Sequence, residues 1–121
     1  DGFYEWAQGE GGKIPYYFYM KDHKPFTFAG LWEEWQPKEG EPLRTCTIIT
    51  CAANETLSAY HERMPVILPA DLRWLWLDPG AKTPELQSWL KPYPAGEMAW
   101  HEVSRLVNKP DADVPECVVP V

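Results

Sequence analysis

The stretch GFYEWAQGEGGKIPYYFYM, residues 2–20, decides how the rest of the chain is read. Gly2 to Trp6 reads as a short strand, Ala7 to Lys13 as glycine-rich turn chemistry, and Ile14 to Met20 as a second, aromatic strand. Two strands joined by glycines predict a β-hairpin. Side chains alternate across an extended strand, so Phe3 and Glu5 share one face while Tyr4 and Trp6 share the other. If Phe3 points inward, so does Glu5. A carboxyl in an apolar setting has a raised pKa and exchanges a proton near neutral pH. On an exposed edge strand it does neither, and the alternation alone leans towards that plainer reading.

The pattern continues beyond the hairpin. Lys21 to Lys24 is a polar turn closed by Pro25. Phe26 to Trp35 is a third apolar run, in which Gly30 signals a bulge or a close backbone approach. Gln36 to Leu43 reads as a loop. Arg44 to Cys51, rich in β-branched residues, is the clearest strand. A short helical turn is expected over Leu57 to Glu62, then an extended Met64 to Leu68. Ala70 to Leu77 reads as a helix with Leu72, Leu75 and Trp76 on one face. Thr83-Pro84-Glu85 reads as the start of a second helix, with Thr83 as the capping hydroxyl, running to Leu90. Met98 to Val103 alternates as a strand, and Asn108 to Val121 reads as an extended, proline-interrupted tail. Five or six short strands and two or three short helices result. They do not alternate regularly, which disfavours a doubly wound parallel sheet. The expected fold is α+β: one domain with a curved, mostly antiparallel, barrel-like sheet flanked by short helices.

Composition narrows the class. With 121 residues there is room for one domain, and 45% hydrophobic residues including seven Trp exclude a disordered chain. Thirteen prolines keep the elements short. A net charge of −7 argues against a generic nucleic-acid surface, although it speaks for the average surface and not for one groove. Cys46, Cys51 and Cys117 form no CxxC pair, so they read as buried, reduced thiols and not as a zinc site. Cys46 and Cys51 fall on opposite sides of an extended segment. No apolar run is long enough to span a bilayer.

His61 lies in Tyr60-His61-Glu62-Arg63-Met64-Pro65. Histidine is the acid–base side chain suited to neutral pH, although a lone one is more often structural. The zinc-protease motif HExxH fails, because Pro65 stands where the second histidine belongs. Arg63 is placed to bind a carboxylate or phosphate. His23 and His101 read as structural. Most of the Trp and Tyr side chains read as core, although one or two exposed rings would stack on a base or a sugar.

Taken together and in order, GFYEW at 2–6, PYYF at 15–18, FAGLWEEW at 28–35, CTIIT at 46–50, Ala53-Asn54, HERMPVIL at 61–68 and the closing Val107 to Val121 resemble the SOS-response-associated peptidase (SRAP) family. The resemblance covers nearly the whole chain. It implies a DNA-repair protein that senses abasic sites in single-stranded DNA. Members of the family begin Met-Cys-Gly-Arg, and self-processing removes the Met. The exposed cysteine then condenses with the ring-opened sugar as a thiazolidine crosslink. By this resemblance Glu5 and His61 are the catalytic acid–base groups, while Arg63 and Thr50 meet the DNA backbone. No metal or cofactor is implied, and no membrane. The intact protein is expected to be a cytoplasmic bacterial monomer that associates with the nucleoid when on DNA.

The N-terminal Cys does not fall among these residues, and none of the three cysteines substitutes for it, because none carries a free α-amine. The resemblance therefore marks residues 1–121 as the C-terminal portion of one SRAP-type domain. Alone, the segment is expected to form no crosslink and to leave core surface exposed. Two rivals remain: a non-enzymatic, aromatic-rich β-type binding module, and a self-processing peptidase without a DNA role. Proximity of Glu5 to His61 separates the module from the family reading.

Overall fold

The expected hairpin forms, and it is longer than the sequence pattern indicates. In a computed structural model that describes all of residues 1–121, strand β1 runs Gly2–Gly9 and β2 runs Gly12–Met20. The strands zip past Trp6 until Gly9 faces Gly12. Gly11 and Gly12 close the turn with φ of 76° and 110°, conformations that L side chains rarely adopt. Strand β9 (Met98–Glu102) joins the other edge of β2, giving the antiparallel order β1-β2-β9.

The third apolar run splits into β3 (Thr27–Phe28) and β4 (Gly30–Trp35). The Arg44 to Cys51 run splits into β5 (Leu43–Ile48) and β6 (Thr50–Ala52), and the next into β7 (Arg63–Pro65) and β8 (Ile67–Leu68). One crossing explains all three breaks. Ile49 N–H donates to the Ala29 carbonyl at 2.9 Å, Ala29 N–H to Val66 at 2.8 Å, and Val66 N–H to Ile49 at 2.9 Å. Each run changes partner at this triangle: β4 pairs with β5 on one side, β3 with β8 and β6 with β7 on the other. Gly30 stands next to the crossing. A Cβ there would lie 3.1 Å from the Thr47 carbonyl, so the expected close backbone approach is present.

The fold is thus α+β with every strand pair antiparallel, but the expected barrel-like sheet is replaced by one three-stranded and three two-stranded sheets, none closed. The partner exchange at the crossing is the reason, and it raises the strand count to nine. The helices are shorter than expected. Helix α1 is a single turn, Arg73–Trp76, and α2 ends at Gln87 instead of Leu90. Lys82 occupies the cap position of α2, so Thr83 lies inside the helix and its hydroxyl caps nothing. The tail is not simply extended: it forms 3₁₀ turns at Arg105–Asn108 and Pro115–Cys117, and Pro120 bridges to Val103.

One apolar cluster holds these pieces together. Phe18, Ala29, Leu57, Met64, Val66 and Met98 form its centre, and Phe3 packs against it. Phe3 stacks on Phe18 with centroids 5.6 Å apart and meets Phe26 and Phe28 edge-on. The opposite face of β1-β2 is covered by the tail. Tyr4 Oη donates to the Cys117 carbonyl at 3.1 Å and Trp6 Nε1 to Asn108 at 2.7 Å. Cys51 and Cys117 are buried free thiols, whereas Cys46, expected to be buried, is exposed on β5. Its side of the β4–β5 pair has nothing packed on it. No helix is long and apolar enough to cross a membrane.

Candidate functional site

Glu5 faces the same side of β1 as Phe3, one step nearer the rim of the core. Its cross-strand partner is Tyr16, which continues the row to Glu102 on β9. The carboxyl is half-buried, and this desolvation raises its pKa above the usual 4.5. The charge of His61 pulls it partly back. Glu5 makes no hydrogen bond within the chain, so its carboxylate is open to whatever approaches.

His61 arrives from the other side of the core. Tyr60, its neighbour in sequence, packs against Tyr16 with centroids 4.4 Å apart and meets Phe18 and Trp100 edge-on. Trp100 Nε1 donates to the Tyr60 hydroxyl. This aromatic row anchors the backbone from which the exposed imidazole projects. His61 Nδ1 lies 3.0 Å from both the N–H and the carbonyl of Arg63. The neutral ring accepts from the N–H, and the imidazolium donates to the carbonyl. Either charge state is held in one place, and Nε2 is left free.

Arg63 and Thr50 act as one unit. Arg63 Nη2 donates to the Thr50 carbonyl at 2.6 Å and to Thr50 Oγ1 at 3.0 Å, and Nε reaches Oγ1 at 3.3 Å. The β6–β7 pairing sets this up by placing Ala52 opposite Arg63 and Thr50 opposite Pro65. The guanidinium is exposed and Nη1 has no partner in the chain. All four sequence-derived residues thus belong to one connected region: Glu5 is coupled to His61, and His61 is held by the backbone of the arginine that clamps Thr50.

Asn54 has a part in this arrangement that the sequence reading missed. It is the one buried polar residue, 8% exposed. Oδ1 accepts from Leu57 N–H at 3.0 Å, and Nδ2 donates to the Tyr93 carbonyl at 2.8 Å. Its carbonyl accepts from Ser58 N–H at 2.9 Å, and Leu57 in turn receives the N–H groups of Tyr60 and His61. Asn54 therefore fixes the 3₁₀ turn Leu57–Ala59 that delivers His61. The available signal was an asparagine just after a strand and three residues before Leu57. His23, in a turn at φ 55°, stacks on Tyr19, and His101 Nε2 lies 2.9 Å from the Val118 carbonyl; both keep to the tail side of the sheet. No group of three or more His, Cys, Asp or Glu side chains is placed to hold a metal ion.

The family model for SOS response associated peptidase (SRAP) matches residues 1–110. The chain belongs to the SRAP family. It is 46% identical over 120 residues to the abasic site processing protein YoqW of Bacillus subtilis, covering 98% of this chain and 54% of that one. The abasic site processing protein HMCES of Gallus gallus is 41% identical over 141 residues, with 100% of this chain and 42% of that one covered. Among solved structures, one match is a crystal structure of a Bacteroides thetaiotaomicron protein, with a TM-score of 0.89 at 33% identity over 99% of this chain and 53% of that one. This SRAP chain spans about half the length of the relatives it matches.

Proposed function

We propose that residues 1–121 are the C-terminal portion of one SRAP-type domain and supply the acid–base half of a site that captures abasic sites in single-stranded DNA. The observation that carries this reading is the half-buried Glu5, its pKa raised by burial and pulled partly back by the charge of the exposed His61. The names of the relatives support the substrate. The chemistry follows from the groups. His61 Nε2 hands a proton to the ring oxygen while Glu5 takes the proton of the C1 hydroxyl, and the sugar opens to its aldehyde. A cysteine amine from outside these residues adds to that carbon. Glu5 protonates the departing hydroxyl, water leaves, the nitrogen gives its remaining proton back to His61, and a C=N bond remains. The cysteine thiol then adds to the imine carbon, its proton moves to the nitrogen, and the thiazolidine ring is closed. Arg63, with its free Nη1, and Thr50 hold the DNA backbone. The same pair serves to remove an initiator Met. The intact protein acts as a monomer on DNA in the cytoplasm.

An aromatic-rich binding module would need neither a raised carboxyl nor a histidine coupled to it, and this favours the catalytic reading. The test is intact mass after incubation of a family-length form with single-stranded DNA bearing one abasic site. A gain equal to the DNA, lost in Glu5→Gln, is the expected result. A family-length form that never gains that mass overturns the proposal.

A further inference from the structure

Past the crossing of Ala29, Ile49 and Val66, the β4–β5 hairpin runs on with neither face covered. Cross-strand pairing puts Trp32, Glu34, Arg44 and Cys46 on one face and Leu31, Glu33, Trp35 and Leu43 on the other. Both faces are open: Trp32 is 71% exposed, Trp35 62% and Leu31 57%. The arm also borders a groove of about 510 Å³, walled by Leu31, Trp32, Trp76, Leu77, Leu86 and Leu90. Trp76 belongs to the rim of the core and donates from Nε1 to the Gly30 carbonyl at 3.0 Å. The apolar surface is therefore continuous from the core to the tip of the arm.

An isolated two-stranded ribbon is marginal in water, and soluble single chains rarely leave contiguous apolar surface of this kind bare. Each edge of the ribbon also presents unpaired backbone groups that template a further strand. The matched stretch is only 54% of the Bacillus subtilis relative and 53% of the Bacteroides thetaiotaomicron chain, so family-length chains carry nearly as much polypeptide again. That length is ample to cover the arm.

We propose that the β4–β5 arm and its groove are the docking seat for the part of a family-length SRAP chain that residues 1–121 do not match. The occupant is an extended segment that adds a strand to the arm's free edge and sets alternate apolar side chains on Trp32 and into the groove. Its charge is positive, because the hairpin and its loop carry Glu33, Glu34, Glu39 and Glu41 against only Lys38 and Arg44. This inference rests on family membership and not on the chemistry of Glu5 and His61.

Cys46 supplies the readout. It sits opposite Trp32 and is exposed, while Cys51 and Cys117 are buried internal controls. Alkylation followed by peptide mass mapping compares the 121-residue chain with a chimera in which it replaces the matching stretch of the Bacillus subtilis relative. Cys46 is expected to react freely in the short chain and at least about tenfold more slowly in the chimera, because a docked strand must open first. Equal rates overturn the proposal. So does a dimeric short chain with Cys46 already protected, which would give the seat to a second copy. Should the chimera not fold, the short chain still decides. An apolar dye is expected to bind it and to lose that binding in Trp32→Lys with the strand circular dichroism unchanged. Absence of dye binding overturns the proposal.

Discussion

The β1–β2 and β4–β5 hairpins are both antiparallel, both rich in large aromatic residues, and both closed by loops that contain glycine with positive φ. In β1–β2 one face enters the core through Phe3 and Phe18, and the other lies under the tail through Tyr4 and Trp6. In β4–β5 only the base meets the core, through Trp76 and Gly30, while both faces lie open and Trp32 and Trp35 stand in solvent. Strand propensity formed both hairpins; only packing distinguishes them. The difference also explains where chemistry sits. A carboxyl acquires a shifted pKa when its neighbours exclude water, as β1–β2 does for Glu5.

Core truncation gives the largest contrast. Phe18→Ala is expected to cost roughly 3–5 kcal/mol by chemical denaturation, since the ring is fully buried. Equal effects for Phe18→Ala and Trp32→Ala would break the comparison. Next comes Glu5→Gln, which in a family-length form is expected to slow crosslinking by roughly 10²-fold or more. Its stability effect runs the other way. Because burial raises the Glu5 pKa above 4.5, the folded chain keeps a proton that the unfolded chain releases as pH rises between the two values. Stability falls through that window and stays lower above it. Glu5→Gln is therefore expected to melt higher than the parent at neutral pH and alike below the window. A flat difference across pH would show that Glu5 is not desolvated.

Smaller effects sharpen the picture. Asn54→Ala is expected to cost roughly 1–3 kcal/mol, because it strands the Leu57 N–H and the Tyr93 carbonyl. As a positioning change it should also displace the His61 ring resonances while leaving those of His101 in place. Unmoved His61 signals would reduce Asn54 to a packing residue. Trp32→Ala in the 121-residue chain is expected to stay within about 0.5 kcal/mol, as for an exposed surface position.

Much of this was legible in the sequence where it depended on local alternation. That Phe3 and Glu5 share a face is a period-two fact, the hairpin follows from the glycines between two apolar runs, and the extended Met64 to Leu68 run follows from its flanking prolines. That the shared face of Phe3 and Glu5 is the inner one was not legible, since the alternation leaned towards an exposed acid. The crossing at Ala29, Ile49 and Val66 was not, because a backbone partner exchange between remote segments leaves no mark on side-chain pattern. That omission is what turned four small sheets into an expected barrel-like one. The short helices were overextended for a related reason. Leu72, Leu75 and Trp76, the face read from the sequence, are half-buried, but Trp74 and Leu77 beside them are 72% and 66% exposed, with no partner to reward a second turn. At the site, the sequence offered Glu5, His61, Arg63 and Thr50 as candidates, and the structure groups them in one region. The role of Asn54 was hidden, since Tyr93 and Met98 lie 39 and 44 residues away.

The β1-β2-β9 sheet also has a kinetic consequence. Its first two strands are made well before β9 and the tail that covers them, with Tyr4 and Cys117 separated by 113 residues. Closing so long a loop is slow, and until it closes the aromatic faces of the first hairpin are bare. The hairpin that carries Glu5 is thus uncovered from the translation of Met20 until that of Cys117, and a chain caught in that interval is open to aggregation.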